Sequence, residues 1–208
     1  KFRMGLFERP FSDAALRTKV GSPEHRAVAR QAVRESLVLL VNKQQALPLS
    51  PALPHVLVAG KAADDIGLQC GGWTIGWQGA SGRTTDGTTV LEAVRRALPG
   101  GRVDYSASGQ PAAGAQAAIV VVGEAPYAEG QGDRKSLDLD PADVALVKRV
   151  KASGLRTIVV LFSGRPMMLD PILGDADAIV AAWLPGTEGA LGTEVNGMRA
   201  VMTLAEKT

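Results

Sequence analysis

Two kinds of apolar spacing alternate along this chain, and together they predict its elements. Short strand-forming runs stand at residues 55–58, 103–106, 117–122, 157–162 and 178–183. The last three are almost wholly apolar, the mark of strands covered on both faces. Between them the apolar positions fall at helical spacing. Val28, Ala29, Ala32, Val33 and Leu37 form a stripe after Ser22-Pro23-Glu24, which offers an N-cap, a first-turn proline and an acidic residue for the dipole. Val90, Leu91, Val94, Ala97 and Leu98 share a face after Asp86-Gly87-Thr88, and Pro99-Gly100-Gly101 ends that helix. Val144, Val147 and Val150 line a third helix, opened by Asp140-Pro141 with Asp143 in its first turn and closed by Gly154.

Strands alternating with helices of this length predict an α/β fold: a doubly wound, mostly parallel sheet of five to six strands with helices on both faces. Residues 37–41 are apolar and β-prone, and Leu47-Pro48-Leu49 breaks them, so a short strand or extended turn is expected there. Residues 1–21 are turn-rich, with apolar points at Phe2, Leu6, Phe7 and Phe11, and read as a connector packed on a surface. The expected division is a linker and packing helix over 1–52, the α/β sandwich over 53–190, and an atypical tail over 191–208.

Composition narrows the partners. Hydrophobic residues at 46% and charged residues at 21% describe an ordinary globular protein of 208 residues, enough for one well-buried domain. The net charge of +2 is spread along the chain with no basic stripe, so nucleic acid is not expected as a partner. No apolar run approaches the roughly eighteen residues that span a bilayer. The single cysteine, Cys70, and the two histidines, His25 and His55, have no metal-ligand spacing, and neither a metal nor a cofactor is expected. His25 reads as a helix-surface residue and His55 as a strand start. The 24 glycines, about 12% of the chain against a usual 7% or so, favour tight turns and close backbone approaches.

Two loops carry the candidate chemistry. Residues 123–133, Gly-Glu-Ala-Pro-Tyr-Ala-Glu-Gly-Gln-Gly-Asp, follow a buried strand and bring together Glu124, Glu129 and Asp133. One carboxylate doing acid/base chemistry and three solvated turn residues both fit that stretch. Residues 70–79, Cys-Gly-Gly-Trp-Thr-Ile-Gly-Trp-Gln-Gly, hold Trp73 and Trp77 in a glycine-rich loop after an earlier strand. Such rings serve either local packing or a platform for the C–H faces of a sugar. Two loops after two strands of one sheet favour the sugar, because open α/β sheets bind ligands at the carboxyl ends of their strands. Phosphate cradles are missing: Val58-Ala59-Gly60-Lys61-Ala62-Ala63-Asp64 is no G-x-G-x-x-G, and neither a Walker sequence nor a G-x-S-x-G elbow occurs. A nucleotide module is disfavoured.

Gly71-Gly72-Trp73-Thr74-Ile75 with Trp77-Gln78-Gly79, Gly82-Arg83-Thr84-Thr85 and Gly87-Thr88-Thr89 closely resembles the second domain of glycoside hydrolase family 3, in its β-glucosidase and exo-β-glucanase branch. Gly123-Glu124-x-Pro126-Tyr127-x-Glu129-x-x-Gly132-Asp133 is similar to that family's acid/base loop. Ser36 to Leu40, Ser163 to Pro166 and Ala181 to Gly189 are also family-like, so the resemblance covers about residues 1–190. It implies a six-stranded α/β sandwich that follows a (β/α)8-type barrel, and retaining hydrolysis of β-linked glucosides or β-glucan oligosaccharides. It further implies Glu129 as the acid/base, Trp77 as a leaving-group-subsite ring and Trp73 as its support. Glu124, Asp133 and Arg83 would support the site, Glu124 by accepting backbone N–H bonds and Asp133 likewise or by holding an arginine. The family's nucleophile aspartate and most of its glucose pocket belong to the barrel, so this polypeptide alone is expected to be inactive. Relatives of this kind are commonly exported, which implies a periplasmic or secreted protein. A non-catalytic carbohydrate-binding or assembly module of the same fold is the alternative.

Overall fold

In the computed structural model, which describes residues 1–189, six strands form one sheet in the order β1-β6-β5-β4-β2-β3. The strands are β1 (Val38–Asn42), β2 (His55–Ala59), β3 (Arg102–Ser106), β4 (Ala117–Gly123), β5 (Arg156–Phe162) and β6 (Ala178–Trp183). β2 to β6 pair in parallel, and β1 alone runs antiparallel, against β6. Residues 37–41 thus supply an edge strand, and the sheet begins ahead of residue 53, inside the stretch expected to be linker. The expected tail over 191–208 lies outside the described residues.

The sheet is covered on two sides at its centre, where β2, β4, β5 and β6 are apolar at nearly every position. Val56, Val58, Ile119, Val121, Ile158 and Val160 point to one core, which Leu91, Val94 and Leu98 of α3 (Val90–Ala97) help to close. Leu57, Val120, Val122, Val159 and Leu161 point to the other, packed by Leu146, Val147 and Val150 of α4 (Pro141–Ala152). This is the two-periodicity of a strand read on both faces at once. The caps fall on the expected residues at Ser22 and Asp140, and α3 begins in a full capping box between Thr89 and Glu92. Two short helices escaped the apolar pattern, α2 (Ile66–Cys70) and α5 (Asp170–Leu173), being too brief to show a period. His55 opens β2 and its ring bonds Asp104 on β3 at 2.9 Å.

The amino-terminal third differs from expectation. In α1 (Pro23–Ser36) only Val33 is buried, and Val28 is 70% exposed. Helix α1 is tied to the sheet largely by polar contacts. Arg26 and Arg30 each reach the buried Glu188 at 2.8 Å, and the Trp183 indole N–H donates to Ser36 O at 2.9 Å. Residues 1–21 contain no buried residue, so Phe2, Leu6, Phe7 and Phe11 do not pack on the described surface.

Candidate active site

Chain order reverses around β2: the path moves from β2 to β3 on one side, then crosses back to β4 on the other. The crevice outside the carboxyl ends of β2 and β4 is therefore the switch point at which open α/β sheets accept ligands. The aromatic loop leaves β2 and the carboxylate loop leaves β4, so topology alone makes them neighbours.

The aromatic loop is closed at its base by one buried carboxylate. Asp65 caps α2 by accepting Leu68 N–H at 2.8 Å, accepts Gly82 N–H at 2.8 Å, and bonds the Ser81 hydroxyl. Both ends of the loop are thereby stapled. Within it Trp73 N–H donates to Trp77 O at 2.9 Å, and the two rings stand 6.4 Å apart at 57°. Trp73 and Ile75 hold φ of 61° and 64°, left-handed values that cost a β-branched residue dearly. That backbone displays Trp73, Ile75 and Trp77 outward, at 70%, 84% and 55% exposure.

The carboxylate loop departs from Gly123, whose N–H donates to Asp143 at 3.1 Å, while Glu124 N–H donates to Phe162 O at 3.0 Å. Its body interlocks with the aromatic loop through glycines. A Cβ on Gly72 would lie 2.0 Å from Tyr127 O, and one on Gly79 would lie 2.7 Å from Pro126 Cβ. Only glycine permits that approach. Gln78 then reaches across: it accepts from Ala128 N–H at 2.8 Å and donates to Glu129 O at 3.3 Å.

The expected site residues separate into two groups. Glu129, Trp77 and Trp73 come together at the loop tips, where the Trp77 Nε1–H donates to Glu129 Oε2 at 2.8 Å. That donor is the chief reason the exposed Glu129 carboxyl sits below the usual glutamate range, with smaller contributions from its own backbone N–H and the Trp73 indole. Glu124 belongs to the second group. Its side chain, only 8% exposed, accepts from the Tyr127 hydroxyl at 3.1 Å and faces Arg165 and Arg134 at 3.3 and 3.4 Å. It therefore orders the loop through a phenol and two guanidiniums, not through backbone N–H groups as expected, because the N–H groups at its own strand end already bond Phe162 and Asp143. Asp133 is exposed and holds no arginine among the described residues. Arg83 turns away to Glu92 of α3 at 3.2 Å, so it serves a helix start and not the carboxylate loop.

Sequence reasoning gave no role to Arg165 and Gln78. Arg165 stacks over the Tyr127 ring at 4.0 Å, donates to its hydroxyl at 2.6 Å and to Gly132 O at 2.8 Å. Nothing in Ser163-Gly164-Arg165-Pro166 signals a partner 38 residues earlier. Behind the loop lies a cavity of about 640 Å3, lined by Lys61, Glu124, Arg134, Asp143 and Arg165 among others. Neither Glu129 nor a tryptophan lines it, so it is separate from the loop tips. Burial pushes the Asp143 carboxyl up there, against the Gly123 N–H that bonds it. Among the described residues no cluster of metal-ligating side chains occurs, and no helix is long and apolar enough to cross a membrane.

Fold and loops define a class, the α/β sandwich domains of glycoside hydrolases. The chain belongs to glycosyl hydrolase family 3: residues 37–195 match the family's C-terminal domain. A lysosomal β-glucosidase of Dictyostelium discoideum is 30% identical, over 91% of this chain and 26% of its own length. A periplasmic β-glucosidase of Salmonella typhimurium is 29% identical over 91% and 29%. Among solved structures, an exo-1,3/1,4-β-glucanase from a Pseudoalteromonas species superposes with a TM-score of 0.78 at 40% identity, covering 82% of this chain and 28% of that one. A Listeria innocua β-glucosidase in complex with glucose gives 0.76 at 25% identity, covering 94% and 28%. The chain spans about a quarter of the length of the curated relatives it matches.

Proposed function

We propose that this chain is the acid/base-bearing second domain of a retaining, exo-acting β-glucosidase or exo-β-glucanase, and that Glu129 is its acid/base. The observation that carries the reading is the 2.8 Å bond from Trp77 to Glu129, which sets a carboxylate at the edge of an exposed aromatic platform at the sheet's switch point. Trp77, supported by Trp73, offers a face to the sugar in the leaving-group position. Glu129 protonates the glycosidic oxygen as it leaves, and then takes the proton of the water that hydrolyses the glycosyl-enzyme. Retaining enzymes need a second carboxylate about 5 Å from the first. Glu124 is held by Tyr127, Arg134 and Arg165 and is unsuited to attack. The family resemblance implies an aspartate of an amino-terminal (β/α)8-type barrel as the nucleophile, and on this reading the chain without that barrel is inactive. Relatives named β-glucosidase and exo-1,3/1,4-β-glucanase support β-glucosides and β-glucan oligosaccharides as substrates, and the name of the periplasmic relative supports a periplasmic or secreted location.

Nitrophenol release from an aryl β-glucoside tests this reading, with the purified chain assayed alone and with a family 3 barrel domain supplied in trans or fused ahead of Lys1. Turnover is expected only with the barrel, and Glu129→Gln is expected to lower its kcat, because the water that hydrolyses the glycosyl-enzyme then has no base. Turnover by the chain alone, or barrel-dependent turnover indifferent to Glu129→Gln, would overturn it. One observation favours the alternative, a carbohydrate-binding module without catalysis: the lowered ionisation range of Glu129 suits a hydrogen-bond acceptor better than an acid. Sugar binding with no barrel-dependent turnover is the result that reading predicts.

A further inference from the structure

The carboxylate of Glu129 lies in an exposed loop with a glycine on its carboxyl side, and nothing about such a backbone fixes a side chain in space. Gly130 has a φ of 78° and open space around it. Two consecutive residues of the other loop supply what the backbone lacks. Trp77 bonds the head group of Glu129, as described above. Gln78, half-buried, bonds the main chain at both ends of the Ala128–Glu129 pair: its Oε1 accepts from Ala128 N–H at 2.8 Å and its Nε2 donates to Glu129 O at 3.3 Å. A primary amide presents a donor and an acceptor side by side, so one side chain can bond a peptide N–H and a peptide C=O at once. The main chain at 128 is also held from within, by Gly132 N–H donating to Ala128 O at 2.8 Å. That internal bond shapes the turn but does not tie it to Trp77.

We propose that Gln78 is a positioning residue for Glu129, clamping its main chain so that the carboxylate meets the Trp77 indole N–H. The inference rests on the reading of Glu129 as the acid/base. It adds a division of labour within the aromatic loop: Trp73 and Trp77 present rings, and Gln78 sets the register between the two loops. Its partners are backbone atoms, so the clamp works whatever side chains stand at 128 and 129. The requirement falls on Gln78 alone. A hydrophobic residue of equal length would fill the space, deprive Ala128 N–H of its acceptor and leave Glu129 O with only the Gln131 N–H that donates to it at 3.0 Å, a bond within the turn, and the carboxylate would then sweep a wider arc.

The test uses the 208-residue chain and needs no catalysis, so its outcome is independent of whether the chain forms an enzyme. The indole N–H signals of Trp73, Trp77 and Trp183 are followed by NMR against pH and assigned with single Trp→Phe variants. In the natural chain the Trp77 signal is expected to shift as Glu129 titrates, and Glu129→Gln is expected to remove that step. Gln78→Met keeps the side chain's length and deletes both bonds. In a folded Gln78→Met chain the step should be lost from Trp77, or move up toward an ordinary glutamate midpoint. An unchanged step at an unchanged pH overturns the proposal. Should Gln78→Met not fold, amide hydrogen exchange in the natural chain decides. Ala128 N–H is expected to exchange more slowly than that of Gly130, which has no acceptor among the described residues, and equal rates overturn the clamp.

Discussion

The indole Nε1–H of Trp77 donates to Oε2 of Glu129 across 2.8 Å, joining residues 52 positions apart that leave different strands. The contact couples two properties usually treated separately, the placement of an aromatic face and the charge state of an acid. An N–H aimed at the carboxylate favours its ionised form, so the ring that would stack on a sugar also holds Glu129 ionised. A general acid needs the opposite, a carboxyl protonated near the working pH. In the proposed enzyme, a nucleophile carboxylate about 5 Å away would supply that opposite push by like-charge repulsion.

The first prediction concerns this balance. In the chain alone, Glu129 should titrate below an ordinary glutamate, and Trp77→Phe, which keeps a ring and deletes the donor, should raise the midpoint toward the ordinary value. Side-chain 13C NMR of Glu129 against pH measures both. The linkage has a definite sign: a depressed folded-state value gives stability that is present above the unfolded value and lost as pH falls through the folded one. Trp77→Phe should therefore flatten the acid edge of the chain's stability profile, and the profile at neutral pH should keep its shape.

A second prediction separates the acid role from mere placement. In a barrel-completed enzyme, Glu129→Gln should lower kcat/KM for alkyl β-glucosides by about 10²–10⁴-fold, the usual worth of a positioned acid. Activated aryl glucosides, whose leaving groups need little protonation, should lose much less in the first step. A loss equal for both substrate classes would assign Glu129 to binding and not to proton transfer.

How much of this was readable beforehand follows from what each feature depends on. The parallel strands and the caps at Ser22 and Asp140 depend on local pattern, and they fall where the pattern put them. Edge strand β1 is ambiguous in sequence because its residues are only half covered and its partner, β6, lies some 140 positions later. The stripe on α1 misleads for a related reason: Val28, Ala29 and Ala32 keep helical spacing, yet within residues 1–189 little covers them. Of the site, the loops were legible as motifs, while the contacts inside them were not. Glu124 and Arg83 look alike as supporting residues in a string of letters. Only the fold reveals that Glu124 faces Arg165 and that Arg83 faces Glu92.

The Glu188 cluster yields a third prediction, in which two halves of one interaction differ in cost. The Glu188 side chain is 4% exposed, whereas Arg26 and Arg30 are 44% and 25% exposed. Deleting both arginines strands a buried carboxylate, at about 3 kcal/mol or more. Glu188→Gln leaves two guanidiniums that can rehydrate, at about 1 kcal/mol. For a chain of this size each kcal/mol is roughly 2–4 °C in Tm. Thermal melts of Arg26→Ala/Arg30→Ala and Glu188→Gln should therefore differ clearly, with the double variant the worse. Equal melts would mean that Glu188 gains its solvation from elsewhere.

The last prediction tests whether the two loops are one unit. Gly72 and Gly76 lie four residues apart in the same loop, and both are small residues beside a tryptophan. Their surroundings differ. A methyl group on Gly72 would sit 2.0 Å from Tyr127 O, a backbone atom that cannot swing aside, whereas a methyl group on Gly76 meets nothing within 4 Å. Gly72→Ala must push the carboxylate loop away from the aromatic loop, costing about 1–3 kcal/mol as overpacking does. Gly76→Ala should stay within about 0.5 kcal/mol of the natural chain. The more informative readout is local. If the loops are held in register by this contact, Gly72→Ala should also erase the pH response of the Trp77 indole signal, because Glu129 moves with Tyr127 and Trp77 does not. Gly76→Ala should leave that response intact. A Gly72→Ala chain that melts early but keeps the Trp77 response would show that Gln78 and Trp77 hold Glu129 without help from the glycine contact, and that the loops are joined at their tips alone.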